Sequence, residues 1–179
     1  NPCNASNGNK YQPESDYVAG EGVPSVVRHY NSQLVSKDYG FGFGWTWLAV
    51  KKLELYGNTL QVREGDGRGE PFTKNASGQW IPDTDSKLAL TQDASGYVLS
   101  RQDGSLERYD TTGKLTSETD RNNRTTAYTY NSSNKLASVT GPFGHVLAIG
   151  YDGNGRIGSI SDPTGGVYGY SYDSAGNLN

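Results

Sequence analysis

Three carboxylates crowd the stretch Glu64-Gly65-Asp66-Gly67-Arg68-Gly69-Glu70, which makes metal binding the first chemistry to weigh. Calcium takes several oxygen ligands at regular offsets along a flexible loop, and here Arg68 stands in the middle of the set. The expectation is a solvated acidic loop with no metal site. The two histidines, His29 and His145, each fall in a stretch with strand periodicity. A general base needs a partner within reach, and neither neighbourhood supplies one, so both are expected to be structural. Cys3 is the single cysteine, which excludes an internal disulfide, and no local cationic cluster marks it as a thiolate. The sequence thus assigns no catalytic residue, no metal and no cofactor. Flat rings offer another chemistry, stacking on sugars, with Trp45 and Trp47 in YGFGFGWTW and Tyr168 and Tyr170 in YGYSYD as candidates. The competing role is core. Aromatics supply large buried areas, so Phe41, Phe43, Trp45 and Trp47 are expected to plug a core, with the alternating glycines letting their strand approach another backbone.

What positions these side chains is a repeat. Tyr109-Asp110, Tyr130-Asn131, Tyr151-Asp152 and Tyr172-Asp173 recur every 21 residues. Three residues after each Asp or Asn comes Gly113, Asn134, Gly155 or Gly176, and two further on an aliphatic residue, Leu115, Leu136, Ile157 or Leu178. A second tetrad keeps the same period as DRNN (120–123), GPFG (141–144) and DPTG (162–165). Asp or Asn at the first turn position accepts hydrogen bonds from backbone N–H groups ahead of it, and the fourth position needs positive φ, which Gly and then Asn tolerate best. Between turns the side chains alternate as in a strand. One face carries Thr126, Tyr128, Tyr130, then Leu147, Ile149, Tyr151, then Tyr168, Tyr170, Tyr172; the other carries small or slim residues. Upstream the rhythm continues in shortened form, with Asp93-Ala94-Ser95-Gly96 read as a first turn tetrad and Asp103-Gly104 as a two-residue hairpin in place of the second tetrad.

Residues 1–87 lack the period but still suggest strands: a hairpin over 49–64 turning at Gly57-Asn58, a strand over 24–32 led by Pro24, and a short hairpin over 72–80. The predicted fold is all-β, mainly antiparallel hairpin repeats of a curved or spiralling sheet, with a non-repeating region (1–87) before the repeats (88–179). The 24 glycines and 33% hydrophobic content suit many turns between half-exposed strands. A net charge of −3, spread without a run of five like charges, leaves no electrostatic footprint for nucleic acid. No apolar run is long enough for a membrane-spanning helix. The absence of methionine and the start at Asn1-Pro2-Cys3 suggest part of a longer, processed protein.

Four copies of Y-[DN]-x-x-[GN]-x-[LI], as YDTTGKL, YNSSNKL, YDGNGRI and YDSAGNL, with AYTYN and YGYSYD, resemble the Rhs/YD-repeat family. GNKYQPESDY, VVRHYNS and FGFGWTW are similar to the segment that precedes the repeats in bacterial Rhs proteins. The resemblance implies a sheet that spirals into a hollow shell around a C-terminal toxin, so the chain would be a non-catalytic wall segment. Its partners would be the remainder of the shell and the toxin cargo, and it would be secreted or at the surface of a bacterium within a larger protein. Members of the family often release the toxin by aspartyl-type cleavage at Asp-Pro-x-Gly-Leu. Asp162-Pro163-Thr164-Gly165-Gly166 is similar but has Gly in place of Leu and falls in phase with the other tetrads, so a turn is expected. The alternative is an extracellular carbohydrate-binding module using the aromatic rows. Unpaired strand edges lead us to expect self-association of the chain.

Overall fold

The computed structural model describes residues 8–47, 50–83 and 85–179; Cys3 lies outside them. A small antiparallel sheet comprises β1 (Tyr11–Tyr17), β2 (Val26–Asn31) and β3 (Trp45–Trp47), in the order β1-β2-β3. Pro24 precedes β2, where its missing N–H costs the ladder nothing. All remaining strands form one 13-stranded meander in chain order. These are β4 (Lys52–Tyr56), β5 (Thr59–Arg63), β6 (Gly69–Lys74), β7 (Trp80–Pro82), β8 (Ala89–Asp93), β9 (Gly96–Ser100), β10 (Leu106–Tyr109), β11 (Leu115–Thr119), β12 (Thr125–Tyr130), β13 (Leu136–Thr140), β14 (Val146–Tyr151), β15 (Ile157–Ser161) and β16 (Val167–Gly169). The predicted all-β antiparallel architecture is observed. Residues 87 and 88 lie in the connection between β7 and β8, which pair with each other in the same sheet.

One turn device builds most of this meander. At Asp110 the backbone N–H donates to the Lys114 carbonyl at 2.9 Å, and Gly113 N–H returns to the Asp110 carbonyl at 3.0 Å. The Asp110 carboxylate accepts from Thr112 N–H at 2.8 Å and Lys114 N–H at 3.0 Å. The same backbone pair of bonds recurs from Asp120, Asn131, Gly141, Asp152, Asp162 and Asp173. Positive φ falls at the fourth position each time, 87° at Gly113 and 60° at Asn134, for example. The device also appears upstream at Glu64, Asn75 and Arg101, where the sequence carries no visible period. That revises the reading of Asp103-Gly104: Arg101 to Gly104 is a complete tetrad. The two-residue hairpin is instead Ala94-Ser95, with Asp93 paired directly to Gly96.

Alternation gives the sheet one bulky buried face. Leu53, Leu60, Val62, Phe72, Leu99, Leu115, Leu147 and Ile160 all lie in the core, each contributing about 1.5–3 kcal/mol by leaving water. The sheet curls back on itself: Leu53 N–H, in the first strand, donates to the Gly113 carbonyl at 2.8 Å. A Cβ on Gly113 would sit 2.3 Å from the Leu53 carbonyl oxygen, so glycine is required twice at this position, for φ and for space.

The small sheet covers the bulky face of the later strands. Phe41 packs edge-on against both Trp47 and Tyr170, and Tyr17 meets Tyr168 at a tilt of 47°. Phe41 and Trp47 are buried as expected, but Phe43 is 36% exposed. The reason is local. Residues 39–44 form a loop held by the Asp38 carboxylate, which accepts from Gly40 N–H and Gly42 N–H, and Gly40, Gly42 and Gly44 all have positive φ. The expected strand with alternating glycines therefore starts only at Trp45, and Phe43 is turned outward over Gly176.

Candidate functional site along the turn row

The repeat tyrosines bind one repeat to the one before it. Tyr130 donates to the Leu115 carbonyl at 2.8 Å, Tyr151 to Leu136 at 2.9 Å and Tyr172 to Ile157 at 2.7 Å, always 15 residues back. Each ring is covered by the cation that follows the preceding turn, Lys114 over Tyr130 at 5.5 Å, Lys135 over Tyr151 at 5.1 Å and Arg156 over Tyr172 at 4.3 Å. A wide ring with a polar tip suits this place because the ring lies under a cation while the hydroxyl completes a backbone carbonyl. Burial pushes the Tyr151 phenol up to about 12, so the donor stays protonated throughout the physiological range. The neighbouring Asp or Asn holds the turn at the end of its own strand. Tyr and Asp therefore do different jobs, one between repeats and one within a repeat.

Tyr109 is the exception. Fifteen residues before it lies Ala94, inside the two-residue turn, so its hydroxyl donates instead to Glu107 at 2.6 Å. Glu107 is only 2% exposed and stands directly opposite Glu118 across the β10–β11 ladder. Two like charges in that position repel unless bridged. Lys51, which leads into β4, bridges them, with its ammonium 2.7 Å from Glu107 and in contact with Glu118. Arg101 joins Glu107 to Glu64 at 2.8 Å on each side, and Tyr128 donates to Glu118. Burial pulls the Lys51 ammonium down, but Glu118 and Glu107 outweigh it and hold it above its ordinary value. Burial likewise raises Glu107, yet Lys51, Tyr109 and Arg101 keep it below the usual carboxylate value.

This network corrects the reading of residues 64–70 as a solvated acidic loop. Glu64 opens a turn tetrad and points inward to Arg101, while Asp66 pairs outward with Arg68 at 2.8 Å. The sequence signal was present but slight: Glu107 lies two residues before Tyr109 and so shares its buried face. Lys51 gave no signal, because its partners are 56 and 67 residues away.

Asp162 sits in the turn tetrad. Its carboxylate accepts from Thr164 N–H and Oγ1, Gly166 N–H and the Tyr168 hydroxyl, and the Thr164 hydroxyl bond leads in holding it below the ordinary value. Of the stacking candidates, Trp47 is 2% exposed and meets Phe41. Trp45 and Tyr170 share the Arg28 guanidinium, at 4.7 and 5.5 Å, and Tyr170 donates to Asp16 at 2.8 Å. Tyr168 leans on Tyr17. His29 accepts from or donates to the Tyr11 hydroxyl at 2.6 Å, and burial lowers its pKa.

Family models match both parts of the chain. The family model for the teneurin YD-shell matches residues 72–179, more than half of the chain, and covers the whole tyrosine ladder. The chain belongs to the YD-shell, or Rhs/YD-repeat, family. Residues 1–72 match a domain of unknown function, DUF6531, so in this YD-shell protein the two matches meet within β6. Among curated proteins, the tRNA nuclease WapA of Bacillus subtilis (strain 168) is 34% identical over 131 residues, as is the tRNA(Glu)-specific nuclease WapA of Bacillus subtilis subsp. natto. The tRNA3(Ser)-specific nuclease WapA of Bacillus spizizenii is 34% identical over the same length. Each match spans 71% of this chain but 6% of the relative's length.

Proposed function

We propose that this chain is a wall segment of a YD-repeat shell that encloses a toxin cargo for delivery and performs no catalysis of its own. The observation that carries the reading is the ladder itself. Tyr130, Tyr151 and Tyr172 and their cations join neighbouring repeats rather than converge on a reacting centre, as a wall that can be extended repeat by repeat requires. The family match and the nuclease relatives support a toxin-bearing parent protein, and with it a secreted or cell-surface location in a bacterium. We take residues 1–87 as the region before the repeats, with its small sheet as a cover for the wall's bulky face, and 88–179 as the repeats. The roles of Asp110, Gly113, Asn131, Asn134, Asp152, Gly155, Asp173 and Gly176 are to shape turns.

Enclosure is tested by protease digestion of the complete parent protein beside its isolated C-terminal domain. The wall reading expects the domain to survive in the parent under conditions that degrade it when free. Equal degradation rates would overturn enclosure. Self-association of the 179-residue chain through the edge of β16 is part of the same proposal, and a strictly monomeric species across a wide concentration range in sedimentation would remove it.

A further inference from the structure

A cleft of 530 Å³ opens between residues 38–40, Trp47 and residues 50–52 on one side and the row of turns that carries the tyrosine ladder on the other. Its lining includes Tyr39, Tyr130 and Tyr151 and five cations, Lys51, Lys52, Lys114, Lys135 and Arg156, against one acid, Asp38. In a chain of net charge −3 this is a local reversal of sign. Three of the cations are neutralised: Lys51 by Glu107 and Glu118, Lys52 by Glu54, and Arg156 by Asp152. Asp38 is occupied by the N–H groups of Gly40 and Gly42. Lys114 and Lys135 differ, since among the described residues neither meets a carboxylate at ion-pair distance. Lys114 donates to the Asn134 side-chain oxygen at 2.7 Å and Lys135 to the Gly155 carbonyl at 2.7 Å, and each rests on a tyrosine ring. An ammonium has three donors, so each of the two, held in a fixed place, has donors to spare.

We propose that this cleft binds a linear acidic polysaccharide, with Lys114 and Lys135 each receiving one carboxylate. The two lysines begin alternate strands, which puts them about 10 Å apart at the ordinary strand spacing. That separation fits acid groups carried on alternate sugars better than the closer-set phosphates of a nucleic acid strand. Asn134 and Asn154 lie in the same lining and add amide groups suited to sugar hydroxyls. Of the aromatic candidates Trp45, Trp47, Tyr168 and Tyr170, Trp47 also lines this cleft, while the other three lie outside its lining.

Titration calorimetry of the 179-residue chain tests this with a hyaluronan octasaccharide, a neutral chitin oligomer, and a short single-stranded RNA. The expected result is hyaluronan binding that weakens with added salt, falls at least tenfold in K114Q/K135Q, and is retained in K114R/K135R. Asn154→Asp, which places a carboxylate at an exposed turn position, should also weaken it, and keeps the test decisive if the double variant unfolds. The neutral oligomer should bind at least tenfold more weakly. No hyaluronan binding at low salt, binding unchanged by these variants, or RNA binding as tight as hyaluronan would overturn the assignment.

Discussion

Strands β11 to β16 and strands β4 to β10 belong to one sheet and share the tetrad turn at most of their connections, yet they are held together differently. In the later strands every link is a copy of the last: a tyrosine hydroxyl on a carbonyl 15 residues back and a cation on the ring. The earlier strands have no such ladder. They rely on apolar side chains such as Leu60, Val62, Phe72 and Leu99, and on one buried set of charges that ties Lys51 to Glu107 and Glu118. A repeating wall is thus built from a local rule. Its beginning is fastened by long-range contacts made once.

The sharpest way to break this contrast is Lys51→Met. Removing one partner of a buried ion pair leaves the others uncompensated, and we expect a loss of about 3–5 kcal/mol at neutral pH in chemical denaturation. The pH dependence should change as well. In the native chain Glu107 is held below its ordinary value, so its contribution is present above that value and fades as pH falls. In the variant, Glu107 faces Glu118 without a shared cation, which raises the proton affinity of Glu107. The deficit should therefore shrink on acidification through the carboxylate range, and a deficit independent of pH would contradict the network.

Next in size is a glycine pair. Gly113→Ala forces both a positive φ and a collision with the Leu53 carbonyl, for an expected loss of about 2–4 kcal/mol. Gly144→Ala has the same φ class but open space around it, and should lose only about 1–2 kcal/mol. Equal melting shifts for the two would show that the contact between the first strand and the β10–β11 turn is not holding the curl. The smallest comparison is between tyrosines. Tyr109→Phe removes a donor from buried Glu107 and should cost about 1.5–3 kcal/mol, while Tyr151→Phe removes one from a backbone carbonyl and should cost about 1 kcal/mol. A reversed order in denaturant midpoints would put the ladder, rather than the charge network, first in importance.

What the sequence reveals follows the same division. The turns and the strand faces from Tyr109 onward are legible because Asp, Asn and Gly at fixed offsets have only one economical backbone solution, and Asn134 at a positive φ follows the same logic. The hairpin at Gly57-Asn58 and that at Asn75 to Gly78 are legible for the same reason. The tetrads opening at Glu64 and Arg101 are hidden, because the backbone bonds are the same but the first side chain is not an Asx. Phe43 is misjudged since three successive positive-φ glycines make a loop where alternation alone suggests a strand. Among the site residues, Tyr130, Tyr151 and Tyr172 can be picked out by period, but their acceptors cannot. Lys51 depends on how far the sheet curls, which no local pattern encodes.

Density for the complete parent protein by cryo-electron microscopy tests the wall assignment most directly. The account predicts the turn rows of residues 110–176 stacked within a continuous curved wall, with the C-terminal domain as separate density inside it. An open sheet exposed on both faces, with that domain outside, would contradict it.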